Sequence, residues 1–254
     1  MAFRQCIQEE SRGGVTMRVH RYVEKKMVAR GLPTGVEGQL HYIAEPTDVH
    51  QLEIELNNSA VLIQPGALQY SYGNLSVEVI RHEPNKGFFA RAAASAATGE
   101  SAHATRYSGS GTIWCEPVRR HFILATMDGP QDALLLDDKA FYACDADISL
   151  STHVHNSIQG MFSGNGLAQP KITGAGVFAV ESPVPVHEID EVAVKQGQEV
   201  VVDGDFMLMY SASLEVNIGP LVAGLRNAMR SGEGFVYRLR GAGSVWVTPS
   251  ARIA

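Results

Sequence analysis

The chain has 254 residues, a formal net charge of -6, and 45% hydrophobic against 19% charged residues. Such a composition buries a core without covalent staples and excludes intrinsic disorder. The acidic balance also excludes a general nucleic-acid binder, which carries a basic footprint to displace phosphate counterions.

The charge is unevenly spread. Residues 1–36 hold seven Lys or Arg against three acids, a net of +4, while residues 37–254 net -10. This basic leader (Arg4, Arg12, Arg18, Arg21, Lys25, Lys26, Arg30) is where peripheral contact with an anionic membrane or RNA would fall, although such a run is ordinarily just solvated. Cys6, Cys115 and Cys144 share no metal-ligand spacing and form no even disulfide framework. The start, MAFRQCIQEE, has no apolar core of a signal peptide, so the expectation is a soluble protein of the reducing cytoplasm. No apolar stretch approaches the roughly 20 residues needed to span a bilayer as a helix.

After the leader the chain repeats itself. Gly38 opens the first glycine strand, GQLHYIAEP, which carries Tyr42. The block 60–75 follows, with Val61-Leu62-Ile63, a turn, a second apolar run, the pair Gly73-Asn74, and alternation in Leu75, Val77 and Val79. Phe88 to Ala97 reads as a short helix rich in alanine. A loop at Gly99-Glu100 leads to Arg106 and to the strand opened by Gly109 and Gly111, which carries Trp114.

The second round repeats this order. The block 133–148 holds Leu134-Leu135-Leu136 and Ala146-Asp147, a short segment lies near Ile158, and a loop holds Gly164-Asn165. Gly174 and Gly176 open the next strand, with Phe178. The third round runs through the block 199–214, a helix pattern from Leu221 to Arg230, the loop Gly232-Glu233-Gly234, Arg238, and Gly241 and Gly243 before Trp246. The three blocks begin 22, 22 and 23 residues after their glycines, a regularity that marks an internal repeat. Short apolar runs punctuated by turn residues are strands.

The expected architecture is therefore all-β. A leader (1–36) precedes one compact domain of three β-repeats (about 38–108, 109–173 and 174–240) with short connecting helices. A closing strand lies at 241–250. Val245 to Thr248 is expected to complete the first unit and so close a ring of three.

Chemistry is harder to find. A dinucleotide fingerprint needs G-x-G-x-x-G before a helix, and GSGTIW, GNGLAQ, GAGVFA, GEGFVY and GAGSVW all lack the third glycine. Tight turns explain these glycines. No G-x-S-x-G elbow is present. His153 and His155 stand at i, i+2 on one strand face and are the candidate metal ligands, yet no carboxylate follows them as it does in barrel metalloenzymes. Glu100 and Glu233, with Arg106 and Arg238, recur between units, which suits a structural clamp better than one active site. Trp114 and Trp246 share a strand position, where core packing is the expected role.

SGEGFVYRLRGAGSVWV (231–247), with Pro65-Gly66-Ala67 and Tyr70-x-x-Gly73-Asn74, resembles the altered-inheritance-of-mitochondria family. The resemblance covers about residues 38–250. The middle unit departs from the pattern at SGNGLAQPKI, where the family tends to keep an acidic residue. What the resemblance implies is a fold like that of the tryptophan-operon RNA-binding attenuation protein (TRAP). Three double-stranded β-helix sandwiches would form one pseudo-threefold chain. It supplies no catalytic residues and no cofactor, and its eukaryotic relatives are linked to mitochondrial inner-membrane organisation and respiratory-complex assembly.

The leading functional expectation is a non-catalytic binding or scaffold protein that self-associates or docks to a protein partner. The alternatives are RNA binding by fold analogy, and a small-ligand or metal-dependent site between repeats.

Overall fold

A computed structural model of the chain describes residues 3–31, 40–80, 104–137, 139–155, 168–220 and 235–250. The first strands are long: β1 Gln5–Arg12, β2 Val15–Gly31, β3 Leu40–Ile63, β4 Leu68–Ile80 and β5 Ala104–Cys115. Shorter ones follow as β6 His121–Met127, β7 Ala133–Leu136, β8 Phe141–Asp145, β9 Ser149–Val154, β10 Ala168–Thr173 and β11 Gly176–Ser182. The last six are β12 Asp190–Val194, β13 Glu199–Asp203, β14 Met207–Ser211, β15 Glu215–Pro220, β16 Phe235–Arg240 and β17 Gly243–Val247. Two single-turn 3-10 segments, Val186–Glu188 and Gly204–Phe206, join strands of the last third. The helices expected at 88–97 and 221–230 lie outside the described residues.

The strands pair by a rule that recurs three times. Each glycine strand lies between two strands that precede it: β5 between β3 and β4, β11 between β6 and β8, and β17 between β12 and β14. A second three-stranded set stands beside each. Residues 105–108 of β5 lie between 60–63 of β3 and 76–79 of β4, β10 lies between β7 and β9, and β16 between β13 and β15.

The first glycine of each G-x-G is the corner between the two sets. Gly109, Gly174 and Gly241 share φ near +128, +129 and +117, a region that side chains with a Cβ avoid. A Cβ on Gly109 would also run into the Asn74 carbonyl oxygen of the neighbouring strand.

This pairing corrects two expectations. The glycine strand ends its unit rather than opening it, so the chain groups as about 49–115, 121–182 and 190–247. Residues 243–247 pair with β12 and β14 of the third group, not with the first unit. The physical reason is that each glycine strand turns back antiparallel onto strands already laid down. The basic leader is not a separate segment either. β1 and β2 pair with each other and β2 pairs with β3 in an eight-stranded sheet, and Val15, Met17 and Val19 are fully buried on one face. Their alternation with Thr16 and Arg18 is the strand signature that the charge count concealed.

Two junctions tie the groups together. β3 pairs with β8 (Leu62 opposite Cys144), and β7 pairs with β14 (Leu135 opposite Tyr210). The hydrophobic clusters straddle them. One joins Met17, Ile54, Val61 and Ile113 to Phe122 and Tyr142. A second joins Leu62 to Cys144, Phe178, Leu208 and Met209. A third places Leu135 with Tyr210, Leu239 and Val245.

Candidate functional site

Two surfaces stand out: a cleft between the second and third units, and the open strand β4. The cleft encloses about 790 Å³. β11 and β14 supply Phe178 and Met209 to its wall, β7 supplies Leu134, and β17 supplies the half-buried Trp246. Asp132, Lys171 and Glu191 bring charge to its lining. Trp246 thus lines a cleft as well as packing against the second cluster, which adds a surface role to the expected one.

β4 is exposed along nearly its whole length and pairs only with β5 among the described strands. Leu68, Tyr70, Tyr72, Val77 and Val79 all project into solvent. Monomeric proteins rarely leave so many large apolar side chains together on one element.

His153 and His155 come together as the i, i+2 spacing requires, with ring centroids 4.6 Å apart. His155 is buried in a polar triad that the sequence did not signal. Its Nε2 lies 2.8 Å from Gln169 Oε1, and the Tyr210 hydroxyl donates to the same oxygen at 2.6 Å. With that proton spent, the 3.0 Å contact between Tyr210 and His155 Nε2 requires the Nε2–H tautomer. Burial holds both imidazoles below their ordinary pKa, so both are neutral at pH 7. Among the described residues no group of three or more His, Cys, Asp or Glu is placed to hold a metal.

A second histidine pair joins the first two units. His50 and His121 stand 4.3 Å apart, and His50 Nδ1–H donates to the Arg120 carbonyl at 3.0 Å. Burial again pushes both below the ordinary value.

The expected recurrent clamps fall largely beyond view. Gly99, Glu100, Gly164, Asn165, Gly232, Glu233 and Gly234 lie outside the described residues. Arg238 is placed on β16 and lies 3.9 Å from Glu199 of β13. Trp114 is half-buried rather than core: the Arg4 guanidinium lies 4.5 Å over its ring, with His20 and Tyr70 on its flanks.

Three basic residues of the first strands are engaged within the chain. Arg18 binds Glu9 and Glu55, Arg21 binds Asp48, and Arg12 binds Asp128. Arg12 also donates to the Met127 carbonyl, and the Gln8 amide bridges the Phe122 carbonyl and the Leu124 amide. β1 thereby clamps the edge of β6. No helix among the described residues is long and apolar enough to cross a membrane.

These features define an all-β protein built on an eight-stranded, a six-stranded and a three-stranded sheet. The sequence matches the family described as Mitochondrial biogenesis AIM24 over residues 42–250, and the chain belongs to that family. Its fold is similar to that of protein SPYM3_0169 from Streptococcus pyogenes, with TM-score 0.58 and 19% identity, covering 90% of this chain and 94% of that one. No curated protein matches the sequence.

Proposed function

We propose that this chain is a non-catalytic binding or scaffold protein that engages its partner through the open edge and face of β4. The observation that carries this reading is the exposure of the apolar side chains Leu68, Tyr70, Tyr72, Val77 and Val79 on a strand with one edge unpaired among the described residues. Unpaired strands recruit other strands, because their backbone groups are left without partners. The family's description, mitochondrial biogenesis, supports a role in the assembly or organisation of membrane-associated complexes.

We read the three units as a pseudo-threefold succession of TRAP-like double-stranded β-helix sandwiches, supported by their common pairing rule. Three free thiols, two of them buried, support a reducing, cytoplasmic setting. Peripheral membrane contact through residues 1–36 would rest on groups such as Lys25, since Arg12, Arg18 and Arg21 are ion-paired.

The test is native purification of the tagged protein beside Tyr72→Lys/Val79→Lys. A stoichiometric partner recovered with the wild type and lost with the variant is the expected result. Equal recovery from both overturns the reading. The cleft favours a second reading, a small apolar ligand held against Phe178 and Trp246. An apolar fluorescent dye that binds the wild type and is excluded by Met209→Trp would support it.

A further inference from the structure

The two junctions inside the chain use the same register. Aligning the repeated blocks without a gap places Ala60, Ala133 and Glu199 at equivalent positions, and likewise Tyr70, Ala143 and Met209. At the first junction Val61, Leu62 and Ile63 face Asp145, Cys144 and Ala143. At the second, Leu134, Leu135 and Leu136 face Ser211, Tyr210 and Met209. Every pair in one junction is the equivalent of a pair in the other. Even the flanking hydrogen bonds repeat. Gln64 N donates to Tyr142 O at 2.8 Å and Asp137 N to Leu208 O at 2.9 Å. At the other end Ala146 N donates to Ala60 O and Ala212 N to Ala133 O.

One half of a third junction stands unused at each end of this series. β13 is the third equivalent of the donor strand, and among the described strands it pairs only with β16. β4 is the equivalent of the acceptor strands β8 and β14, and among the described strands it pairs only with β5. Burial follows the same division. Cys144 and Tyr210 are fully buried at the centres of their junctions, while their equivalent Ser71 is exposed, and Tyr70 is 42% exposed where Ala143 and Met209 are 0% and 4%. Leu62 and Leu135 are 6% and 4% exposed, against 42% for Val201. The β4 edge carries none of the usual protection, and the two carboxylates that bound β13, Glu199 and Asp203, are each engaged within the third unit. Residues 68–77 hold no charge and no proline, and Glu199 of β13 is held by Arg240 at 2.6 Å.

We propose that β13 of one copy of this chain pairs with β4 of a second copy, antiparallel, with Val200, Val201 and Val202 facing Tyr72, Ser71 and Tyr70. This rests on the binding reading of β4 and names its occupant. The contact is heterologous, since it uses a different edge from each copy, so it builds head-to-tail chains or closed rings. The two internal junctions are its template.

Complementation tests it. By equivalence with Leu62 and Cys144, the backbone amides of Val201 and Ser71 face the open edges, so proline there removes no ladder bond of the isolated chain. Sedimentation velocity over a concentration series is expected to show dimers or larger species for the full-length wild type. Val201→Pro alone and Ser71→Pro alone are each expected to lose them at an unchanged melting temperature. Mixing these two variants restores one junction, because the first keeps its β4 and the second its β13, and gives a 1:1 dimer that grows no further. Val201→Lys and Ser71→Lys repeat the experiment should either proline variant melt early. A monomeric wild type, or a mixture that stays monomeric, overturns the proposal. Native purification that recovers a different protein on β4 from a monomeric chain would leave the binding reading intact and sink only the self-assembly.

Discussion

Single residues matter most here where a backbone corner or a buried polar group leaves no alternative. Gly109 and Gly241 share a positive φ, but only at Gly109 would a Cβ meet a neighbouring carbonyl, whereas at Gly241 the nearest atom is 3.6 Å away. Gly241→Ala is expected to cost about 1–2 kcal/mol from backbone strain, and Gly109→Ala distinctly more, as read by urea denaturation. The triad gives a second prediction. Gln169→Leu removes the acceptor of the Tyr210 hydroxyl and leaves His155 Nε2–H only the Tyr210 oxygen at 3.0 Å, at about 1–3 kcal/mol for the one donor stranded. Tyr210→Phe, which leaves His155 bonded to Gln169, costs less. The histidines set a pH dependence whose sign follows from their burial. His50 and His121 are held below the ordinary 6.5, so the unfolded chain binds more protons as pH falls through that value. Stability is full above about pH 6.5 and declines as pH drops toward their folded-state pKa. Asp145, buried, and Glu181, partly buried, are raised above their usual range by desolvation and act in the opposite direction. The measurement is therefore a comparison: His50→Gln is expected to lose less stability between pH 7.5 and about 5 than the wild type does.

Among the elements, the N-terminal hairpin departs furthest from its sequence reading. Its charge count marked it as a leader, yet Val15, Met17 and Val19 are fully buried and Gln8 and Arg12 hold the edge of β6. The apolar alternation of Val15, Met17 and Val19 lies among seven basic residues, whose charge is the pattern of a solvated segment. The partners of Arg12, Arg18 and Arg21, which are Asp128, Glu9 with Glu55, and Asp48, are scattered along the chain, so no local pattern announces that these three charges are satisfied. Deletion of residues 1–36 is accordingly expected to unfold or precipitate the protein, not to leave an intact core with weaker membrane affinity. Met17→Ala is expected to cost about 2–5 kcal/mol, as large-to-small changes at fully buried sites do. Circular dichroism melting of both decides the matter. The glycine corners were legible for the opposite reason. Gly109, Gly174 and Gly241 each satisfy a backbone demand within their own turn, so the spacing of G-x-G in the sequence is the spacing of corners in the fold.

At the scale of the whole molecule, the repeat was readable but its closure was not. Which strands a glycine strand joins is a long-range matter, and β17 could satisfy its hydrogen bonds at either end of the chain so far as local sequence shows. The structure decides for the third unit, because β12 and β14 flank it on both sides. The His155 triad was illegible for a related reason, since its members come from β14, the start of β10 and the residue after β9. The same long-range character governs how the molecule unfolds. No unit keeps its core to itself: Leu62 of the first packs with Phe178 of the second and Met209 of the third, and Leu135 of the second lies in the cluster of the third. Separating the units would expose those faces and strand the junction amides, so each unit depends on its neighbour. Calorimetry of the full chain is expected to show a single transition whose calorimetric and van't Hoff enthalpies agree. A fragment of residues 121–182 alone, shorn of both junctions, is expected to lack a cooperative melt. Leu135→Lys, placed at the centre of the second junction, should lower the melting temperature of the first and third units together. Independent melting of the third unit in that variant would show instead that the repeats are beads on a string.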